Sequence, residues 1–351
     1  MSLETLWFCV IAFFWAGYLM LEGFDFGVGI LLPFVGRDDA DRSAMLETIA
    51  PVWDGNEVWL VVAGGATFAA FPAWYATMFS GFYVALLVVL VLLIVRVLSF
   101  EWRERDESSR WRGLWLWANV VASFGAPVIW GVALANLVQG VPLDSSGDYA
   151  GGLADLFSPY TVTAGLVIVV LFAMHGATFL ALRTTGPLQR RATDAARRLS
   201  WPAVALAAVL LAWTVVVATD ANQKSALPAA LVAGAAVLAF AAGAALVAKD
   251  RGVPAFVASA TGIVLAVATI FTGLYPRVMV SSPDFANSLT TSNASSAHYT
   301  LAVISVVAVV VTPVVLVYQA WTYYVLRRRL VEEPAPELPA SGTPSAAAPS
   351  R

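Results

Sequence analysis

Four acidic side chains fall in two short patches, Glu22-Gly23-Phe24-Asp25 and Asp54-Gly55-Asn56-Glu57, in a chain that otherwise reads as membrane from end to end. An ionised carboxylate in hydrocarbon costs roughly 2.5–3.5 kcal/mol on insertion scales. Acids kept at that cost suit proton or ion handling, because a carboxyl reached by water can be charged or neutral at modest expense. Arg96, in a third apolar stretch, is the cation able to pair with them. Glu22 and Asp25 are three residues apart, as are Asp54 and Glu57, so each pair shares a helix face.

Composition sets the frame for these charges. Residues of the AVILMFWYC set make up 60% of the 351 positions and only 12% are charged, where soluble globular chains carry about 25%. The net charge of −3 says nothing about nucleic acid, but there is no basic stripe and the positive charges fall mostly in loops, so no nucleic-acid partner is expected. The single cysteine, Cys9, excludes a disulfide framework and a thiolate-ligated cluster. Two histidines, His175 and His298, are too few for a multi-haem or multi-copper site built from this chain. The first apolar stretch begins with Glu4 rather than a basic region and lacks a small-x-small cleavage site, so it reads as a retained helix.

About 20 mostly apolar residues cross the hydrocarbon as a helix. Nine stretches qualify: Leu3–Phe34, Pro51–Phe71, Ala76–Phe100, Gly113–Leu137, Thr161–Leu182, Pro202–Ala218, Leu227–Ala248, Pro254–Leu274 and Leu301–Leu326. The pattern predicts an all-α bundle of nine transmembrane helices over residues 1–330, followed by a Pro/Ala/Ser-rich, disordered tail over residues 331–351. Arginines and lysines concentrate in the odd-numbered connections and at Arg327–Arg329, whereas the even-numbered connections carry only Lys224 and Arg277. That asymmetry places the N-terminus outside and the C-terminus in the cytoplasm.

With this orientation Glu22, Asp25, Asp54, Glu57 and Arg96 gather at similar depth near the cytoplasmic side, as in a hydrated half-channel admitting protons from inside. Other readings stand beside it. Asp54 and Glu57 suit a helix N-terminus, whose dipole favours acids, and Arg96 suits snorkelling to lipid headgroups. Gly17, Gly23, Gly27, Gly29, Gly64 and Gly65 read as close-packing positions. Trp53, Trp59, Trp74, Trp102, Trp111, Trp115, Trp117 and Trp321 read mostly as interfacial belt residues. His175, in LFAMHGATF, either ligates a haem or, the commoner role, bonds to a neighbouring helix; His298 reads as a solvated loop residue.

The strings LEGFDFGVGILLPFVGR (Leu21–Arg37), IAPVWDGNEVWLVVAGGATFAAFP (Ile49–Pro72), FSGFYVALLVVLVLLIVRVLSFEWR (Phe79–Arg103) and NLVQGVPLD (Asn136–Asp144) resemble subunit II of the cytochrome bd-type quinol oxidases. So do Tyr275–Leu301 and Val311–Leu326, while Ser200–Gly252 matches only in hydropathy. The resemblance implies a heterodimeric terminal oxidase of the bacterial cytoplasmic membrane that oxidises quinol outside and reduces O2 to water with protons from the cytoplasm. It assigns two haems b, one haem d and the quinol site to a partner, subunit I. It leaves this chain as a packing partner and part of the proton path, with a structural quinone in some members and small single-helix subunits in others. Asp25 and Asp54 match that family's proton-path acids and Arg96 its third-helix arginine; Glu22 stands where other members carry aspartate. Two alternatives remain from the residues alone. One is an ion-coupled secondary transporter, which predicts inverted repeats and broken helices; the other is a purely structural membrane subunit.

Overall fold

The computed structural model describes residues 2–222 and 225–325. The expected tail, Lys224 and Arg327–Arg329 lie outside them.

Eleven α-helices account for most of the described residues: α1 (Leu3–Val35), α2 (Asp39–Ile49), α3 (Trp53–Ala70), α4 (Pro72–Gly81), α5 (Tyr83–Trp102), α6 (Ser109–Gln139), α7 (Pro159–Arg183), α8 (Gly186–Asn222), α9 (Leu227–Ala248), α10 (Gly252–Leu274) and α11 (His298–Val325). Their ends follow ordinary capping chemistry. Ser2 accepts from Thr5 N at the start of α1, Asp38 from Asp41 N before α2, and Ser158 with Thr161 forms a capping box before α7. Gly140 ends α6 at φ 94°, a conformation that favours glycine.

Among the described residues eight helices, α1 and α5 through α11, are long and apolar enough to cross a membrane. The second expected span, α3, falls outside that eight; Asp54, Asn56 and Glu57 occupy its first turns. It nonetheless packs against α1, where Trp59 seats on Gly17. Asn56 meets Asp25 at one end, and Ala70 at the other accepts from Ser296 N just before α11. The stretch expected as one span over Ala76–Phe100 is divided at Phe82 into α4 and α5. Tyr149 packs beside Gly81 at that bend and against the Phe82 ring. Conversely, α8 begins sixteen residues before the expected Pro202, because the Arg-rich segment after Gly186 continues into the apolar span as one helix.

Helix α1 runs through the centre, buried along most of its length. Its glycines admit neighbours at close range. A Cβ on Gly27 would lie 1.9 Å from the Phe172 carbonyl oxygen, and one on Gly17 2.3 Å from the Trp59 ring. Gly64 and Gly65 behave differently: a Cβ added at either would meet nothing within 4 Å, so the expected close packing does not occur among the described residues. Trp59 and Trp74 are core residues rather than belt residues. Trp102, Trp111 and Trp115 cluster where α5 ends and α6 begins.

The two ends of the bundle differ in chemistry. At one, β1 (Arg277–Met279) and β2 (Leu289–Thr290) pair antiparallel, and the 141–157 loop docks on them through Val141 N to Val280 O and Ser282 N to Val141 O, both 3.0 Å. At the other, Asp39 receives Arg103 at 2.9 Å and Arg112 at 3.3 Å, while Arg191 donates to Asp41 and, at 2.8 Å, to the Val35 carbonyl.

Candidate functional site

Along α1 the chain presents Glu22 and Asp25 on one face, and both are fully buried at 0% exposure. Arg96 of α5, 1% exposed, donates from Nη1 to Glu22 Oε1. Its guanidinium also lies over the Phe26 ring at 4.6 Å and faces the Phe100 ring at 5.6 Å, a placement that favours a cation. Arg96 therefore faces inward to a carboxylate and does not snorkel. Behind it Ser99 donates to the Arg96 carbonyl at 2.5 Å, Asn119 to Ser99 at 2.7 Å and Ser123 to Asn119 at 3.2 Å, which tie α5 to α6.

Asp25 is held by an amide rather than a cation. Asn56 Nδ2 donates to Asp25 Oδ2 at 2.7 Å, and Asn56 Oδ1 accepts from Tyr323 Oη at 2.7 Å and Gln319 Nε2 at 3.1 Å. One side chain thus joins α1, α3 and α11. Reading the sequence for charge passed over Asn56, Gln319 and Tyr323. The available signal was an amide in each of two membrane helices, where buried polar groups need partners.

The second acidic pair is placed by the phase of α3. Asn56, Trp59, Ala63, Thr67 and Ala70 form its buried stripe. At 100° per residue Glu57 falls on the flank of that stripe and Asp54 on the opposite side. Glu57 is accordingly half-buried and Asp54 exposed, sharing an outward stripe with Val58 and Val61. The structure brings Glu22, Asp25 and Arg96 together, keeps Glu57 at their margin and turns Asp54 away.

Four buried atoms of the cluster have no hydrogen-bond partner among the described residues: Glu22 Oε2, Asp25 Oδ1, Arg96 Nε and Arg96 Nη2. Leaving a buried polar group unsatisfied costs about 1–3 kcal/mol, and interior water is the usual remedy where several such groups converge. The arrangement therefore suits a small hydrated cluster in which protons move between carboxyls.

His175 lies beside this cluster without joining it. Its Nδ1 is 2.7 Å from Ser259 Oγ on α10, and its ring stacks on Phe256 with centroids 4.5 Å apart. It serves as the helix-to-helix tie that the sequence allowed. His298 is exposed at the start of α11. Among the described residues no three His, Cys, Asp or Glu side chains gather in a way that could hold a metal.

Comparison with known proteins gives this geometry its context. Residues 3–326 match the family model described as cytochrome bd terminal oxidase subunit II. The cytochrome bd ubiquinol oxidase subunit 2 of Bacillus subtilis is 38% identical over 332 residues, covering 94% of this chain and 97% of that protein. Cytochrome bd-I ubiquinol oxidase subunit 2 of Escherichia coli K12 is 36% identical over 363 residues, covering 94% and 96%. A solved chain of the bd oxidase from Geobacillus thermodenitrificans shares the fold with a TM-score of 0.73 at 19% identity, covering 93% of this chain and 98% of that one. A multi-pass helical chain with this length of match, carrying its buried acids Glu22 and Asp25 in the LEGFDFGVG string, belongs to the cytochrome bd terminal oxidase subunit II family of the bacterial cytoplasmic membrane.

Proposed function

We propose that this chain is the subunit of a quinol:O2 oxidoreductase that carries protons from the cytoplasm toward the oxygen-reducing centre of a partner, subunit I. Residues 1–330 then form one transmembrane domain with nine crossings, α3 being the second. The Arg-rich end at Asp39 and Asp41 is cytoplasmic and the docked-loop end is outside. The single observation carrying this reading is the fully buried Glu22–Arg96–Asp25 cluster with its four unpartnered polar atoms. In a merely structural subunit the interior would be cheaper to fill with hydrocarbon.

The route begins with Asp25 and Glu22 as proton-holding groups. Arg96 balances one negative charge, and Asn56 orients Asp25 while sparing its other oxygen for exchange with water. Asp54 and Glu57 extend the acidic set to the outward side of α3. That side is continuous with faces that this chain leaves bare: α11 buries only Leu301 among its described residues, and α5 exposes Leu87, Leu90, Val91 and Ile94. We assign these faces of α3, α5 and α11 to packing against subunit I, with Asp54 on the partner side.

Two haems b, one haem d and the quinol-oxidation site are assigned to subunit I; a structural quinone and small single-helix subunits are further candidates for the complex. In this chain His175 is engaged by Ser259 and Phe256 and His298 lies at a helix start, which supports haem ligation elsewhere. With protons taken from one side and quinol oxidised at the other, turnover separates charge across the membrane.

The test is oxygen consumption by the two-subunit complex carrying Asp25→Asn or Asp54→Asn. Both are expected to slow turnover by about tenfold, corresponding to about 1.4 kcal/mol in the barrier, with haem content unchanged. Wild-type turnover in both variants would leave the chain as scaffold alone.

A further inference from the structure

Tyr18 lies one turn before Glu22 on α1, on the same face, and both are fully buried. Its phenol oxygen accepts from Trp130 Nε1 of α6 at 3.1 Å. That bond fixes the oxygen but uses the tryptophan's proton, and the Tyr18 hydroxyl proton has no acceptor among the described residues. The neighbouring Glu22 has the complementary deficit, since its Oε2 is buried with no donor. A donor without an acceptor and an acceptor without a donor, a single turn apart in a buried interior, are the conditions under which ordered water bridges two groups.

The surroundings give this pair a direction. Trp15, one further turn along α1, packs against Trp130 with ring centroids 5.0 Å apart. Both tryptophans line an open, largely apolar groove of about 570 Å³ between α3 and α5, together with Leu60, Val89 and Leu93. Val89, Leu93 and Arg96 form one buried stripe of α5. The same face therefore leads from the Arg96–Glu22 pair to the groove, and Tyr18 is the polar group on α1 between them.

We propose that Tyr18 carries protons beyond Glu22, through water held between the two side chains, toward the groove side of α3 and α5. The hydroxyl hands its own proton to water on the groove side and takes another from the water on the Glu22 side, one O–H bond breaking as another forms. The phenol is neutral before and after, and only positive charge has moved. Trp130 is a positioning residue that holds the oxygen in line. This deepens the proton-path reading above and rests on it.

The test uses the complete complex with its partner subunit, comparing Tyr18→Phe, Asp25→Asn and Tyr160→Phe. Tyr160 is a buried tyrosine whose hydroxyl donates to Thr214 at 2.9 Å, away from the cluster. Tyr18→Phe keeps the ring contacts and removes only the hydroxyl. The expected result is a several-fold loss of oxygen consumption with a changed solvent deuterium isotope effect and unaltered haem absorbance, while Tyr160→Phe behaves as wild type. Structural damage would lower the rate without moving the isotope effect, and that result overturns the proposal. Wild-type behaviour of Tyr18→Phe beside a slow Asp25→Asn overturns the role of Tyr18 alone; wild-type behaviour of both overturns the path with it. If the Tyr18→Phe complex fails to assemble, Trp130→Phe decides. It frees the Tyr18 oxygen and is expected to change the isotope effect, and an unchanged value overturns the proposal.

Discussion

Asn56 and Asp25 are joined side chain to side chain at 2.7 Å across α3 and α1, and the same asparagine accepts from Tyr323 and Gln319 of α11. Three helices meet at one amide, so its removal is expected to act on stability and, through the proposed proton path, on turnover. Asn56→Leu strands the Asp25 carboxyl together with the Tyr323 and Gln319 donors. A loss of about 1–3 kcal/mol per stranded group is expected, read as a lower melting temperature of the purified complex, with oxygen consumption falling alongside it. An unshifted melting temperature would contradict the junction role.

The Glu22–Arg96 pair makes a different prediction, because breaking a buried ion pair is costlier than replacing it whole. Arg96→Met alone leaves Glu22 buried without its cation, and a destabilisation of about 3–5 kcal/mol is expected. The double variant Glu22→Met with Arg96→Met should recover assembly, measured as haem-bearing complex per unit of membrane, yet remain slow in oxygen consumption. Recovery of both would show that the charges serve structure only.

Glycines on α1 and α3 should part company. Gly27→Ala pushes a Cβ to 1.9 Å from the Phe172 carbonyl oxygen, and overpacking of that kind costs about 1–3 kcal/mol or more; loss of the chain from membranes is the expected readout. At Gly64 an added Cβ meets nothing within 4 Å among the described residues, so Gly64→Leu points into open space. It is expected to leave the chain in the membrane but to reduce co-purification of subunit I, whose proposed docking face it occupies. Undiminished co-purification would place the partner elsewhere.

At the charged end, burial opposes ionisation of Asp39, but hydrogen bonds and charge from Arg112 and Arg103 outweigh it and hold the carboxyl below its usual range. A group depressed in the folded state contributes stability above its unfolded value and loses that contribution as pH falls through the folded one. Thermal stability should therefore decline as pH drops below the ordinary aspartate range. Asp39→Asn should flatten that acid limb slightly, since the side chain is 42% exposed and its pairing is screened. An acid limb of unchanged slope in the variant would assign the effect to other groups.

Much of the molecule follows from local physics. Long apolar runs have no stable form in lipid but helices, since backbone groups must be satisfied within the segment. Eight spans were therefore legible in composition alone. The GFDFGVG and WDGN strings marked the acids, and Arg96 followed as the charge in a third apolar stretch. What one dimension could not carry was the phase of α3 and the division at Phe82, each set by packing. Because Trp59 seats on Gly17, α3 turns Asn56 inward and Asp54 outward, so an uncharged amide stands beside Asp25 and Asp54 does not join the group of charges expected at that depth. Helical periodicity names which residues share a face; only the neighbours seated against that face decide whether it is the inner one.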